Sequence, residues 1–299
     1  MTLGLGLPPP VGSLERYGAV LLDLDGTVYL DRDPLPGARE FVLASRAAGL
    51  RVGFVTNMAF QDTAWCIEGL RRCGIPAAAA DVVTAADSVA AALASDGIGS
   101  VAYVGGSGLR DALVARGIVV RGIDDVDVDG WASSSLDGHA LALGMTPGIT
   151  RAQVDRLTEL AGAGLPLYVS SLDRGMPTKA GIIPGPAAIL AELRARVAVE
   201  VRACGKTSPG FASLVHRLLD GAQPTVVVGD SLEADVVFAV QEGFDSLLVL
   251  TGVSNLDSLG AASILPTYCE PDLVSACRNA FGLGERDGYR HEPIERNAP

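Results

Sequence analysis

Residues 19–29, Ala-Val-Leu-Leu-Asp-Leu-Asp-Gly-Thr-Val-Tyr, constrain the fold more than any other stretch. The apolar run has the length and composition of a strand buried on both faces. It ends in two carboxylates, Asp23 and Asp25, one residue apart and followed at once by Gly26 and Thr27. At the C-terminal end of a parallel strand the chain leaves the packed sheet and opens onto the crevice where ligands bind. Gly26 lets the backbone turn there, so the two acids can be aimed separately. Carboxylates this close repel one another unless a cation or a shared proton holds them. The pattern therefore reads as a magnesium site in which one carboxylate can also serve as a nucleophile. Taken by itself, the same pentapeptide is also what a solvated strand end looks like.

The rest of the chain repeats the theme. Arg51–Thr56, Val82–Thr84, Thr225–Gly229 and Ser246–Leu250 read as further strands. Helical stretches alternate with them at Ala38–Ala48, Gln61–Arg72, Ala86–Ala94, Phe211–Leu219 and Leu232–Gln241. This βα alternation predicts an α/β fold, a doubly wound parallel sheet. Residues 87–181 carry their own βα units: strands at Val101–Val104, Ile118–Val120, Ala140–Leu143 and Pro166–Ser170, and helices at Leu109–Ala115 and Thr150–Ala161. They predict a smaller α/β domain inserted into a discontinuous core of residues 1–86 and 182–299. The core is expected to resume with a helix at Pro186–Arg196 and a strand at Val199–Ala203. The acidic stretch Asp124–Asp137 reads as a solvated loop, Met1–Ser13 as an irregular lead-in, and the chain beyond Gly284 as a weakly ordered tail.

Three further strand ends carry chemistry. Thr56-Asn57 places a hydroxyl and an amide before a helix, a pair suited to a phosphate oxygen but equally to a plain helix cap. Lys206, in Cys-Gly-Lys-Thr-Ser-Pro, offers an ammonium at a strand-to-helix turn. Gly-Asp-Ser-Leu-Glu-Ala-Asp, residues 229–235, puts Asp230 at the end of a very apolar strand and Asp235 about a helical turn later.

These four motifs, in this order, resemble those of the haloacid dehalogenase superfamily, most of whose members are phosphatases. The insert lies between the second and third motifs, as in the subclass with a large α/β cap, the NagD and 4-nitrophenylphosphatase-like group. The resemblance spans roughly residues 15–283. It implies that Asp23 attacks phosphorus to form an aspartyl-phosphate and that Asp25 acts as acid and then base. It implies Mg2+ held by the Asp23 carboxylate, the Asp25 carbonyl and Asp230, with Thr56, Asn57 and Lys206 on the phosphoryl oxygens and Asp235 orienting Lys206 or the metal shell. Val-Ser-Ser-Leu-Asp173 looks like the cap's substrate loop, so Asp173 is expected to meet a substrate hydroxyl or base edge; a turn-forming Asp reads the same. Ser170-Ser171 and Met58 depart from residues common among relatives at these places.

The expected activity is hydrolysis of a small phosphomonoester, a sugar phosphate, polyol phosphate or mononucleotide. The alternatives are a phosphotransferase or mutase, or a non-catalytic sensor of phosphate ligands. A net charge of −12 argues against a nucleic-acid partner. Five cysteines without CxxC spacing and no long apolar run fit a reduced, cytoplasmic, membrane-free protein. His139, His216 and His291 are too scattered to suggest a metal cluster. The resemblance also leaves room for a homodimer.

Overall fold

A computed structural model describes residues 7–127, 130–131, 137–178 and 181–282. In chain order the first unit begins with β1 (Ala19–Leu22), a short hairpin of β2 (Tyr29–Leu30) and β3 (Asp33–Pro34), α1 (Ala38–Ala47), β4 (Arg51–Thr56), α2 (Thr63–Arg72), β5 (Val82–Thr84) and α3 (Ala85–Ser95). Next come β6 (Ser100–Val104), α4 (Ser107–Ala115), β7 (Val119–Gly122), β8 (His139–Leu143), α5 (Arg151–Gly162), β9 (Leu167–Val169), the hairpin β10 (Gly175–Thr178) and β11 (Gly181–Pro184), α6 (Pro186–Arg194) and β12 (Val201–Ala203). The chain finishes with α7 (Pro209–Leu219), β13 (Thr225–Gly229), α8 (Val237–Glu242), β14 (Asp245–Val249), α9 (Leu256–Ala261), β15 (Tyr268–Glu270) and α10 (Leu273–Phe281).

The first sheet is parallel throughout, in the order β15-β14-β13-β1-β4-β5. β1 lies between β13 and β4, with Ala19–Leu22 in register with Thr225–Val228 on one side and Arg51–Phe54 on the other. Being covered on both faces, its residues are all buried, which is why the segment is apolar without alternation. One face carries Val20, Leu22, Phe41 and Phe54; the other carries Leu21, Val55, Phe211 and Phe238. The strand order reverses around β1, so its C-terminal end is the switch point where an open α/β sheet forms its crevice.

The second sheet is also parallel, in the order β12-β9-β8-β6-β7. Leu141 and Leu143 face α5 and α6, while Ala140 and Ala142 face α3 and α4. One expectation is corrected here. Val201–Ala203 does not resume the first sheet; it pairs with Leu167–Val169 at the edge of the second. The preceding helix goes with it, its Ile189, Leu190 and Leu193 packing on Leu157 and Leu160. The strand pairing therefore carries the second unit past the expected return at residue 182. A short βα unit reads the same whichever sheet it joins, and only long-range pairing decides.

Other differences lie at the ends of the chain. α9, β15 and α10 were not expected after the strand at Ser246–Leu250. α10 buries Leu273, Ala276 and Cys277 against α1 and sets Phe281 edge-on to Phe41 at 5.7 Å. Residues 7–13 form no regular element, yet Val11 is buried and its amide donates to Glu270 Oε1 at 2.9 Å. In the acidic stretch Arg156 Nη1 donates to the carbonyls of Ile123, Asp124 and Val126, so its first turn is anchored; residues 128–129 and 132–136 and the expected tail lie outside the described residues.

The loop after β4 joins the two units. At the start of α4 the amides of Gly108 and Leu109 donate to the carbonyls of Phe60 (3.1 Å) and Ala59 (2.9 Å). First-turn amides have no partner within their own helix, so the first unit supplies one. A Cβ on Gly106 would overlap the Phe60 carbonyl, and one on Gly108 the Gln61 carbonyl. Helix propensity alone favours Gly108→Ala by up to about 1 kcal/mol. The obstruction is backbone, which cannot swing aside, so overpacking should win at about 1–3 kcal/mol. We expect urea unfolding to show Gly108→Ala less stable than the parent; equal or higher stability would contradict so close a junction.

Candidate active site

Adjacent strand tips bring the predicted residues together. Asp23 follows β1, Thr56 ends β4, and Asp230 follows β13. Lys206 arrives from the other sheet: after β12 the chain crosses to the first unit, and Ser208 caps α7 by accepting from the Phe211 amide at 3.2 Å. The Lys206 side chain is thereby driven into the sheet mouth, almost wholly buried. Its Nζ donates to Asp23 Oδ1 and to Asp235 Oδ1, the latter at 2.6 Å. Asp235 sits on the π-helical turn Leu232–Val236, and its other oxygen accepts from the Ser231 amide at 3.0 Å. Asp230 Oδ2 accepts from the Val253 amide at 2.5 Å, and the Thr27 hydroxyl lies 3.5 Å from Asp230 Oδ1.

Glycines make room for these acids. Gly26 takes φ 89°, the left-handed turn expected of it, and a Cβ there would come 2.6 Å from Asp230 Oδ2. A Cβ on Gly252 would overlap the Asp230 carboxylate outright, and one on Gly229 would overlap that of Asp235.

Electrostatics follow from burial. Carboxylate oxygens of Asp23, Asp230 and Asp235 lie within 4.8 Å of one another. When all three are ionised, the Lys206 ammonium balances one charge and leaves two. Burial raises the Asp23 carboxyl well above its ordinary range; Lys206 draws it down, while Asp235 and Asp230 push it up. Asp230 is raised by burial and then by Asp235, against the pull of the Val253 amide. Burial opposes the Lys206 charge, but Asp23 and Asp235 prevail and hold the ammonium above its ordinary value. Asp25 is pushed up to about 7 by burial and then by the charge of Asp23. Its carboxyl stands apart from the three-acid group, as the turn at Gly26 allows. A buried set of hard oxygen donors with two charges in excess suits a hard divalent cation such as magnesium.

The acids form the floor of a cavity of about 620 Å³. Thr56, Asn57 and Asp173 all line it, so every residue singled out from the sequence reaches the same space. Thr56 Oγ1 accepts from the Met58 amide at 3.1 Å. Asn57 holds two partners: its Oδ1 accepts from the Lys206 amide at 3.0 Å, and its Nδ2 donates to Asp173 Oδ2 at 2.9 Å. Arg174, Glu233 and the segment 251–254 were not anticipated. That segment is a further strand tip after β14: Thr251 Oγ1 donates to the Gly26 carbonyl at 2.6 Å, and Ser254 Oγ accepts from the Leu232 amide at 3.0 Å. Its signal was present in the sequence, since Thr-Gly-Val-Ser follows an apolar run as the other tips do. Of the histidines, His216 pairs with Glu242 at 2.8 Å away from the acids, and His291 lies outside the described residues.

Comparison with known proteins gives the family. A model described as haloacid dehalogenase-like hydrolase matches residues 20–119, and one described as HAD-hydrolase-like matches residues 203–276. The two matched stretches contain all four strand-end motifs. The chain belongs to the haloacid dehalogenase-like hydrolases. This hydrolase is 28% identical over 265 residues to the acid sugar phosphatase of Staphylococcus aureus, covering 88% of its own length and 98% of the relative's. It superposes on the glycerol phosphate phosphatase of Mycobacterium tuberculosis in complex with magnesium with a TM-score of 0.76, 29% identity and coverage of 90% and 80% of the respective chains. It shares its fold with the 4-nitrophenylphosphatase of Thermotoga maritima (TM-score 0.77, 24% identity, 89% and 98% coverage).

Removing the ammonium from this hydrolase leaves buried carboxylates uncompensated, a loss of the order of 3–5 kcal/mol. Lys206→Met should therefore lower the unfolding free energy of the metal-free protein by about that amount in urea titrations. Unchanged stability would show that the Asp23–Lys206–Asp235 ion pairs are not formed.

Proposed function

We propose that this hydrolase is a magnesium-dependent phosphatase acting on a small phosphomonoester through an aspartyl-phosphate on Asp23. The observation that carries the reading is the buried group of Asp23, Asp230, Asp235 and Lys206, opening directly into a cavity large enough for a small organic phosphate. The named activities of its relatives, on sugar phosphate and glycerol phosphate, support the same class of substrate.

The proposed roles follow from position. Asp23, the Asp25 backbone carbonyl and Asp230 would hold the cation, with Asp235 orienting Lys206. Bound there, a divalent cation would supply the positive charge that lets acids and phosphate share one site. An Asp23 oxygen attacks phosphorus, forming a P–O bond as the ester P–O bond breaks. Asp25 gives its proton to the departing alkoxide. The Asp25 carboxylate then takes a proton from water, whose oxygen attacks phosphorus and releases Asp23. Lys206 and Thr56 line the place of the phosphoryl oxygens, where fixed donors stabilise developing charge.

Phosphate release from 4-nitrophenyl phosphate should require magnesium and stop with EDTA. Asp23→Asn should abolish it, and turnover at the parent rate in that variant would overturn the nucleophile assignment. Gly252→Ala, whose methyl displaces the Asp230 carboxylate, should weaken magnesium binding at least about tenfold by calorimetry, roughly 1.4 kcal/mol. Parental affinity in Gly252→Ala would remove Asp230 from the ligand set.

A further inference from the structure

Asn57 and Asp173 were singled out for phosphate and substrate, yet the structure joins them to each other. Asn57 is a two-sided bridge: Nδ2 donates to Asp173 Oδ2 at 2.9 Å, and Oδ1 accepts from the Lys206 backbone amide at 3.0 Å. The second bond fixes the turn whose ammonium lies between Asp23 and Asp235.

Both ends of the bridge are seated without slack. The Asp173 carbonyl accepts from the Ala187 amide at 3.3 Å at the start of α6, and the Arg174 carbonyl accepts from the Gly185 amide at 2.9 Å. A Cβ on Gly185 would overlap the Asp173 carbonyl. At the other end, a Cβ on Gly205 would come 2.9 Å from Asn57 Oδ1 and 2.9 Å from the Ser170 carbonyl. The loop after β9, the tip of β4 and the Lys206 turn are thus one continuous chain of close contacts. Asp173 spends a carboxylate oxygen inside that chain.

We propose that Asp173 is a positioning residue, which acts through Asn57 to seat the Lys206 turn, so that docking of the second unit sets the place of the catalytic ammonium. The consequence for catalysis rests on the phosphatase reading above; the structural consequence does not. Losing the Asp173 acceptor leaves the Asn57 amide unanchored and frees it to leave the Lys206 amide.

The test uses Asp173→Ala and Asp173→Asn, the latter keeping a carbonyl oxygen that can accept from Asn57. Amide hydrogen exchange at Lys206 should speed up about tenfold or more in Asp173→Ala and return towards the parent in Asp173→Asn. Unchanged exchange in Asp173→Ala overturns the proposal, whatever the activity. In steady-state assays, Asp173→Ala should lower kcat by a similar factor on 4-nitrophenyl phosphate and on glycerol phosphate, with KM little changed, and Asp173→Asn should recover most of the loss. A loss confined to KM for glycerol phosphate, with 4-nitrophenyl phosphate untouched, would make Asp173 a substrate-recognition group and overturn the positioning role. Absence of phosphate release by the parent on both esters would sink the phosphatase reading and leave the exchange result standing.

Discussion

Everything in this site depends on one ammonium held in a place where it is outnumbered. Lys206 bonds two buried carboxylates, while a third, Asp230, stands in the same group held by backbone amides and near the Thr27 hydroxyl instead of by a cation. Buried charge of one sign is costly, and the protein has built close backbone approaches at Gly26, Gly229 and Gly252 in order to keep it. A fold selected for stability alone would have no use for such a surplus. It fits the proposed reading, a socket for a divalent cation with one oxygen left to attack phosphorus.

The parallel sheet explains how so much charge is gathered without dismantling the core. β1 is covered on both sides and both faces, so its length is apolar and its first charged residue, Asp23, comes just past its end. The neighbouring strands end at the same level and deliver Thr56 and Asp230 beside it. Lys206 follows the second sheet's edge strand β12 by three residues. The Lys206 ammonium is thus tethered between two units, and the loop 57–62 is where they meet: it caps α4, bonds the Lys206 turn and reaches Asp173.

The legible part of this arrangement was the part written locally. An apolar run that stops at Asp, Thr or Gly-Asp announces a strand tip, so Asp23, Asp25, Thr56, Asn57 and Asp230 could be placed from sequence, as could the Gly-Lys turn before a Ser-capped helix. What could not be read was pairing over distance. Val201–Ala203 has the same pattern in either sheet, and its partner, Leu167–Val169, lies over thirty residues away. Asn57 and Asp173 are 116 residues apart, and nothing in either segment names the other. β15 escaped notice because it is three residues, Tyr-Cys-Glu, whose buried glutamate is satisfied by Val11 and Asn279 instead of by an apolar environment. Thr251–Ser254 carries the same signal as the tips beside it, an apolar run that stops at a small polar residue.

In the proposed reaction, the Asp23 carboxylate within this buried cluster becomes phosphorylated. Rapid acid quenching of the enzyme mixed with magnesium and a phosphomonoester, followed by peptide mass spectrometry, tests it most directly. One phosphoryl group is expected on the peptide carrying Asp23, formed and lost during turnover. Steady phosphate release with no phosphorylated peptide, or with the group on any other residue, would contradict it.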